Sequence, residues 1–341
     1  MAENKVLLDH GSGGKISHSM VSDMILPLFD NPALAMLDDG ATLDIPGNRI
    51  AFSTDTYVVE PIFFPGGNIG DLAINGTVND VAMCGANPLY ISVGLILEEG
   101  LPVKELETIL KTMADAAKKA GVNIVTGDTK VVPRGKADKI FINTSGMGIL
   151  PDNINVTGAN AQPGDKIIIS GSIADHGITI LSSREDMKMT SDIKTDSAPL
   201  NHMVQAIIDS GSEIHVLRDP TRGGLGTTLN EIAAQSNVEI KIKESAIPVK
   251  NSVAGVCELL GFDPLYIANE GKLIAFVPKD HAQKVLEIIK QDEFGKDACI
   301  IGDVMPETSD NSNLGKVFME TLIGGTRIVD MLTGEQLPRI C

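Results

Sequence analysis

The chain has 341 residues, which makes two domains a better expectation than one. Its 28 basic and 45 acidic residues leave a formal charge of −17, which speaks against a nucleic-acid-binding surface. At 43% hydrophobic and 21% charged it can bury a real core, while 9 Phe, 3 Tyr and no Trp leave little for stacking platforms or membrane belts.

The opening, MAENKVLL, has no apolar run of signal-peptide length, and no stretch approaches the ~20 apolar residues of a membrane span. Cys84, Cys257, Cys299 and Cys341 form no CxxC pair, so neither a zinc site nor a disulfide framework is expected, and a reducing cytoplasm fits. Cys84, Cys257 and Cys299 read as core packing, whereas Cys341 is the last residue.

Apolar runs and turn signals alternate, which reads as mixed α and β. Strands are expected at Ile50 to Val59 and Tyr90 to Leu97. A helix is expected at Val103 to Ala120, with Leu106, Leu110, Met113 and Ala117 on one face and Gly121 ending it. Strands follow around Val122 to Val125 and Ile140 to Met147, and then a turn-rich stretch, Pro151 to Gly164, marks a boundary. The second unit opens on a buried strand at Lys166 to Ser170. Helices are expected at Ile178–Ser183, His202–Asp209, Leu225–Ala234 and His281–Lys290, with strands at Val238–Ile242, Leu273–Val277 and Ala298–Ile301. The polar run from Arg184 to Asp196 reads as an exposed loop, and after Gly324-Gly325 the chain runs out as a tail ending Pro338-Arg339-Ile340-Cys341.

Acidic residues recur beside Gly, Ser, Thr or Asn: Asp38-Asp39-Gly40, Ser53-Thr54-Asp55, Asn79-Asp80 and Gly127-Asp128-Thr129. Each alone fits a cap or turn residue, but hard oxygen ligands converging from separate segments are what a Mg²⁺–phosphate site requires. Asp55 and Asp128 stand at the ends of expected strands, where α/β folds place ligands. His10 to Lys15, with Gly13, Gly14 and Lys15, is a glycine-rich loop whose backbone could approach phosphates, although it is not a Walker A motif. Arg218-Asp219-Pro220-Thr221-Arg222-Gly223-Gly224 sets two guanidiniums beside a helix start, an anion site or an ordinary turn. His176 and His202 have no ligand partner at metal spacing and read as structural. The residues alone point to a Mg-nucleotide enzyme with an odd cysteine tail.

This ordered set resembles the superfamily of aminoimidazole-ribonucleotide (AIR) synthetase, selenophosphate synthetase and thiamine-monophosphate kinase. Within it the chain is similar to the HypE family of hydrogenase-maturation carbamoyl dehydratases, from HGSGGK at His10 to Lys15, through GDTKVV, RDPTRGG and Ala268-Asn269-Glu270-Gly271, to the terminal PRIC. The terminal cysteine discriminates it from the sister families.

The resemblance implies an α/β fold of α+β type with two AIR-synthetase-like domains, at 1–155 and 156–325, and a mobile tail at 326–341. The first domain would dimerise through its sheet, giving a homodimer. The implied activity uses ATP and Mg²⁺ to dehydrate a carbamoyl group on Cys341 to a thiocyanate, supplying cyanide for the nickel–iron site. HypF would be the carbamoyl donor and HypC–HypD the cyanide acceptor, with no nucleic acid or membrane involved. Asp39, Asp55, Asp80 and Asp128 would hold Mg²⁺ and phosphates, with Asp219, Gly13, Gly14 and Lys15 completing the nucleotide site. Lys130 would steady the phosphoryl group, Glu270 would be the base, and Cys341 the covalent carrier. Another ATP-using enzyme of the superfamily and a non-catalytic maturation scaffold are the competing readings.

Overall fold

The structure is a computed structural model that describes residues 5–7, 20–29, 31, 49–184, 192–306, 313–332, 337 and 339–341. Asp39, Gly13, Gly14 and Lys15 lie outside the described residues.

The amino-terminal unit is built on a four-stranded sheet of order β1-β6-β4-β5. Its strands are β1 (Ile50–Tyr57), β4 (Asn87–Glu98), β5 (Asn123–Val132) and β6 (Ile140–Ile149), with a small hairpin of β2 (Phe63–Phe64) and β3 (Gly67–Asn68) to the side. Only β4 and β5 run parallel, because the helix α2 (Val103–Ala120) carries the chain back between them. Leu106, Ile109, Leu110, Met113, Ala117 and Ala120 form its buried stripe, and Gly121 ends it at φ 74°.

The first helix, α1 (Ile69–Met83), gives no such stripe, since nearly all its residues are buried on every side. A capping box starts it: the Asn68 side chain accepts from Gly70 N at 2.8 Å, and Asp71 accepts from Asn68 N at 2.6 Å. The helix lies close on the inner face of the sheet, where a Cβ at Gly76 would run into the Tyr57 hydroxyl. Asn79 and Asp80 are therefore helical residues rather than turn residues, and Asp128 lies in mid-β5 rather than at a strand end.

A connector from residue 150 to 165 leads to the second sheet, of order β13-β12-β9-β11-β7-β10-β8. Its strands are β7 (Lys166–Ile169), β8 (Val216–Arg218), β9 (Ile240–Lys243), β10 (Ile274–Val277), β11 (Cys299–Val304), β12 (Val317–Glu320) and β13 (Thr326–Val329). The helices are α3 (Asp175–Ser182), α4 (Asn201–Asp209), α5 (Gly224–Ser236), α6 (Asn251–Leu260) and α7 (Lys279–Gln291). Alternation along β7 and β10 sends Ile167, Ile169, Ile274 and Phe276 into one core with Leu225, Leu229 and Ile232 of α5. Ile168, Ala275 and Val277 face the opposite core, with Val204 of α4 and Val285 of α7.

Two expectations at the carboxyl-terminal side change. Gly324-Gly325 is not a tail hinge but the turn of the β12–β13 hairpin, and β13 belongs to the sheet, so the tail begins beyond 329 rather than at 326. The run ending at Asp196 is not an exposed loop throughout, since Ile193 is buried along with Ala198 and Leu200 just beyond it. Apolar residues there would be stranded in solvent; Ile193 packs instead with Ile178 and Leu181 of α3 and Val253 of α6, and Leu200 with Ala82 and Met83 of α1.

Candidate functional site

Asp55, Asp80, Asp219 and Glu270 are brought together from β1, the end of α1, the turn after β8 and the segment before β10. The Ser53 hydroxyl donates to Asp80 Oδ2 at 2.8 Å and holds that carboxylate against β1. Burial raises Asp80 to about 6 against the pull of the Ser53 bond, with the Asp55 charge adding to the rise. Burial and then the charge of Asp80 push Asp219 up to about 7. Glu270, only 4% exposed, is raised well above the usual carboxylate range by burial first, then by Asp219, Asp196, Asp55 and Asp80. Its Oε1 is buried without a hydrogen bond, an oxygen left over for a ligand's donor or a cation.

Asp128 and Lys130 are not part of this crowd within one chain. Both project from the outer face of β5, away from α1, and Lys130 Nζ sits 2.9 and 2.8 Å from the two Asp128 oxygens. Their side chains are 71% and 65% exposed, and the Lys130 bond holds Asp128 below its usual range. The register places Asp128 in line with Gly94, Asn143 and Thr56, so three strand spacings, about 14 Å, separate it from the β1 edge. The outer face also exposes Ile50, Phe52 and Ile96.

The tail is docked, not loose. Val58 N donates to a terminal carboxylate oxygen of Cys341 at 3.2 Å and Glu60 N to the Arg339 carbonyl at 3.1 Å, while Arg339 Nε donates to Val58 O at 3.0 Å. Arg339 also pairs with Asp138 at 2.6 Å, on the β5–β6 turn. Ile340 is 3% exposed in the amino-terminal core, which also holds Ala268, two residues from Glu270. Cys341 packs against that same core, directly beyond the strand that carries Asp55.

His176, read from the sequence as structural, and Asp196, read only as the end of a loop, complete the geometry. His176 is fully buried and bonds the Ile340 carbonyl through Nε2 at 2.9 Å. Asp196 accepts from the backbone N–H groups of Glu270 and Gly271, both at 3.2 Å. A Cβ at Gly271 would fall on the Asp196 carbonyl oxygen, which explains the glycine after Glu270. Neither role has a local signal, because each depends on a partner far away in sequence.

Among the described residues, no three His, Cys, Asp or Glu side chains converge tightly enough to cage a metal ion. The hard carboxylates fit Mg²⁺ in the form in which it travels on nucleotide phosphates, keeping waters and taking one or two protein oxygens. No helix among the described residues is long and apolar enough to cross a membrane.

Residues 37–150 match the family "AIR synthase related protein, N-terminal domain", and residues 162–314 match "AIR synthase related protein, C-terminal domain". The carbamoyl dehydratase HypE of Azotobacter vinelandii is 49% identical over 341 residues, covering 100% of this chain and 98% of that protein. The chain belongs to the HypE family. A crystal structure of HypE in complex with ATP superposes with a TM-score of 0.94 at 53% identity, over 98% of this chain and 99% of the other. HypE in a HypE–HypF complex superposes with a TM-score of 0.79 at 47% identity, over 92% and 99%. The two HypE-family domains thus flank the connector, and the acidic cleft lies between them.

The crowding of carboxylates predicts a pH dependence. The folded-state pKa values of Asp80 and Asp219 lie above their unfolded values, so their contribution is fully present below about pH 4 and is lost as pH rises through 6 to 7. Urea titrations of the nucleotide-free chain should show stability falling across that window. Asp80→Asn should flatten the slope and raise stability at pH 8 by about 1–3 kcal/mol. An unchanged slope would remove Asp80 from the crowd.

Proposed function

We infer that the chain is an ATP-dependent carbamoyl dehydratase that turns a carbamoyl group on Cys341 into a thiocyanate, the source of cyanide ligands for the iron of [NiFe]-hydrogenase. The observation that carries this reading is the docked tail: the last residue of the chain lies against the core that holds Ala268, next to Glu270 and the acidic cleft. A scaffold would gain nothing from fixing its terminal cysteine by hydrogen bonds against the core beside the acidic strand.

The chemistry asks little covalent work of the protein. The amide oxygen of Cys341 S–C(=O)–NH₂ is a poor leaving group, so it first takes the terminal phosphoryl group of ATP, releasing ADP and one N–H proton. The resulting S–C(=NH)–O–phosphate then loses its second N–H proton, the C–O bond breaks, and phosphate leaves as S–C≡N forms. The overall change consumes one ATP and yields ADP, phosphate and a proton. Glu270 suits the proton-accepting role once a cation beside the cluster has drawn off its own proton, because burial and like charge give its carboxylate a high proton affinity. Asp80 and Asp219, with Asp55, would hold Mg²⁺, which supplies charge neutralisation on the phosphates. In the docked tail, the terminal carboxylate, which opposes thiolate formation at Cys341, is tied to Val58 N–H.

In this reading HypF loads the tail and HypC–HypD accepts the cyanide. The solved HypE–HypF complex of a relative supports the first.

Lys130 and Asp128 act across a homodimer. Pairing the outer sheet faces of two chains would cover Ile50, Phe52 and Ile96 and bring each chain's Lys130 toward its partner's cleft.

Two tests follow. Mass spectrometry of the carboxyl-terminal peptide after incubation with HypF, carbamoyl phosphate and ATP should show the carbamoyl adduct and then its loss of water. Cys341→Ala should fold and bind ATP yet never carry either species, and Glu270→Gln should accumulate the adduct and dehydrate it about 10²–10⁴-fold more slowly. Thiocyanate formed at the normal rate by Glu270→Gln would reject the base assignment. Separately, Lys130→Ala and Glu270→Gln homodimers should each be inactive, while refolded mixtures should regain activity through the one site per heterodimer with both groups intact. Mixtures that stay inactive despite exchanging subunits would place Lys130 and Glu270 in the same chain's site, or Lys130 in none.

A further inference from the structure

The short loop Thr195–Ala198 touches both halves of the chemistry. On one side the Ser197 N–H donates to Thr195 Oγ1 at 3.0 Å, Thr195 Oγ1 lies 2.7 Å from His176 Nδ1, and His176 Nε2 lies 2.9 Å from the Ile340 carbonyl. The ends fix the direction of this chain. A backbone N–H can only donate and a carbonyl can only accept, so the Thr195 hydroxyl donates to Nδ1 and the proton of His176 sits on Nε2. Burial keeps the imidazole neutral, as this arrangement needs. The ring is fully enclosed, with Phe64 edge-on at 5.7 Å.

On the other side, Asp196 accepts from the N–H groups of Glu270 and Gly271, and Lys272 Nζ lies 3.4 Å from its Oδ2. The same loop is bolted to the helix that carries Asp80. Asn75 donates to Ser197 Oγ at 3.0 Å, and Asn79 donates to the carbonyls of Ala198 at 3.0 Å and Glu270 at 3.3 Å.

We propose that Thr195–Ala198 is the element that sets the cysteine tail in register with the Glu270 base, with His176 and Asp196 as its two positioning residues. The proposal rests on the assignment of Cys341 as carrier and Glu270 as base. Its physical content is a count of freedoms. The carbonyl before Cys341 is held by His176, and the terminal carboxylate of Cys341 is held by Val58 N–H. With the preceding peptide group and the terminal carboxylate both fixed, the sulfur is left one rotation, χ1, with three staggered positions. Removing the His176 bond frees one end and spreads the sulfur over many positions, most of which leave the carbamoyl nitrogen out of reach of the base. Asp196 does the same for the other partner by clamping the backbone on either side of the Glu270 side chain's attachment.

The experiment uses the full chain loaded with a carbamoyl group by HypF, followed by a single turnover started with ATP. His176→Leu should slow dehydration at least 30-fold, while ATP affinity stays within threefold of the wild type. His176→Gln should recover to within about fivefold, since an amide N–H can reach the Ile340 carbonyl from nearly the same place. Thr195→Val, nearly isosteric, should lie between them. Hydrogen exchange supplies a readout independent of turnover: the amides of Val58 and Glu60, which bond the tail, should lose protection in His176→Leu and regain it in His176→Gln. His176→Leu that dehydrates at the wild-type rate, or tail-bonding amides unchanged in both His176→Leu and Thr195→Val, would overturn the proposal. A wrong base assignment reveals itself differently, as normal dehydration in Glu270→Gln with the exchange pattern of the His176 variants unaffected.

Discussion

The burial of Asp80, Asp219 and Glu270 beside one another and beside Asp55, a desolvation cost first and a mutual repulsion second, is the constraint on which the rest of the structure depends. Two of these groups are pushed to about 6 and about 7, so near neutral pH the cleft holds protons it would release to a cation. No single element could hold such a set. β1 and α1 supply two members from the amino-terminal unit, and the turns flanking β8 and β10 supply two from the second. The cores on either side provide the apolar burial that offsets the repulsion, and α1, buried all round, serves as the shared wall. Met83 and Ala82 at its end pack into the core of the second unit, so the two units are joined at the helix that bears Asp80.

That arrangement also gives α1 polar contacts with the second unit, beside those that join the end of α2 to α4 through Asn201 and His202. Asn75 and Asn79 on α1 reach the loop around Ser197 and Ala198, and Asp196 of that loop reaches Glu270. A buried polar network is stable only when nearly all of its members are satisfied, and a satisfied one fixes geometry better than apolar packing does. The exceptions are informative: Asn75 Oδ1 and Glu270 Oε1 are buried without hydrogen bonds at the network's edge. Orphaned oxygens beside an acidic cleft are where a ligand's donors or a cation's water shell would be accommodated.

Much of the fold was legible in the sequence because its elements are amphipathic or plainly buried strands. Val103–Ala120 was read to its ends, since a three-four apolar stripe meets a glycine stop. α1 was not seen: a helix buried on all faces has no periodicity to detect. Its Asn79-Asp80 pair therefore looked like a turn. Asp128 sits in a strand that continues as far as Val132, with its polar outer residues on a face that no other described residues cover, so the residues mimic a loop. Asp55, Asp80, Asp219 and Glu270 could be named from motifs, but their convergence depends on pairings remote in sequence. His176 and Asp196 carried no local signal at all, because their partners lie 164 and 74 residues away.

The docking of the tail is balanced, and that balance suits a carrier. Hydrogen bonds from Val58, Glu60, Arg184, Arg339 and His176 hold it, worth about 0.5–1.5 kcal/mol each, and Arg339 adds half-exposed ion pairs with Asp138 and Glu60 that contribute little. Burying Ile340 adds about 2–3 kcal/mol. Against this, ordering the backbone of Arg339, Ile340 and Cys341 costs about 1–2 kcal/mol per residue, with about 2 kcal/mol more for the side chains of Arg339 and Ile340. The terms nearly cancel, so a few kilocalories per mole in either direction move the tail in or out. A firmly seated tail would deliver its sulfur to the base but could not present the product elsewhere. A loosely held one would be accessible for loading but would wander within the cleft. Backbone bonds and a single apolar side chain give a seat that is well defined in geometry yet weak in free energy, and His176 sharpens the geometry with only one more bond.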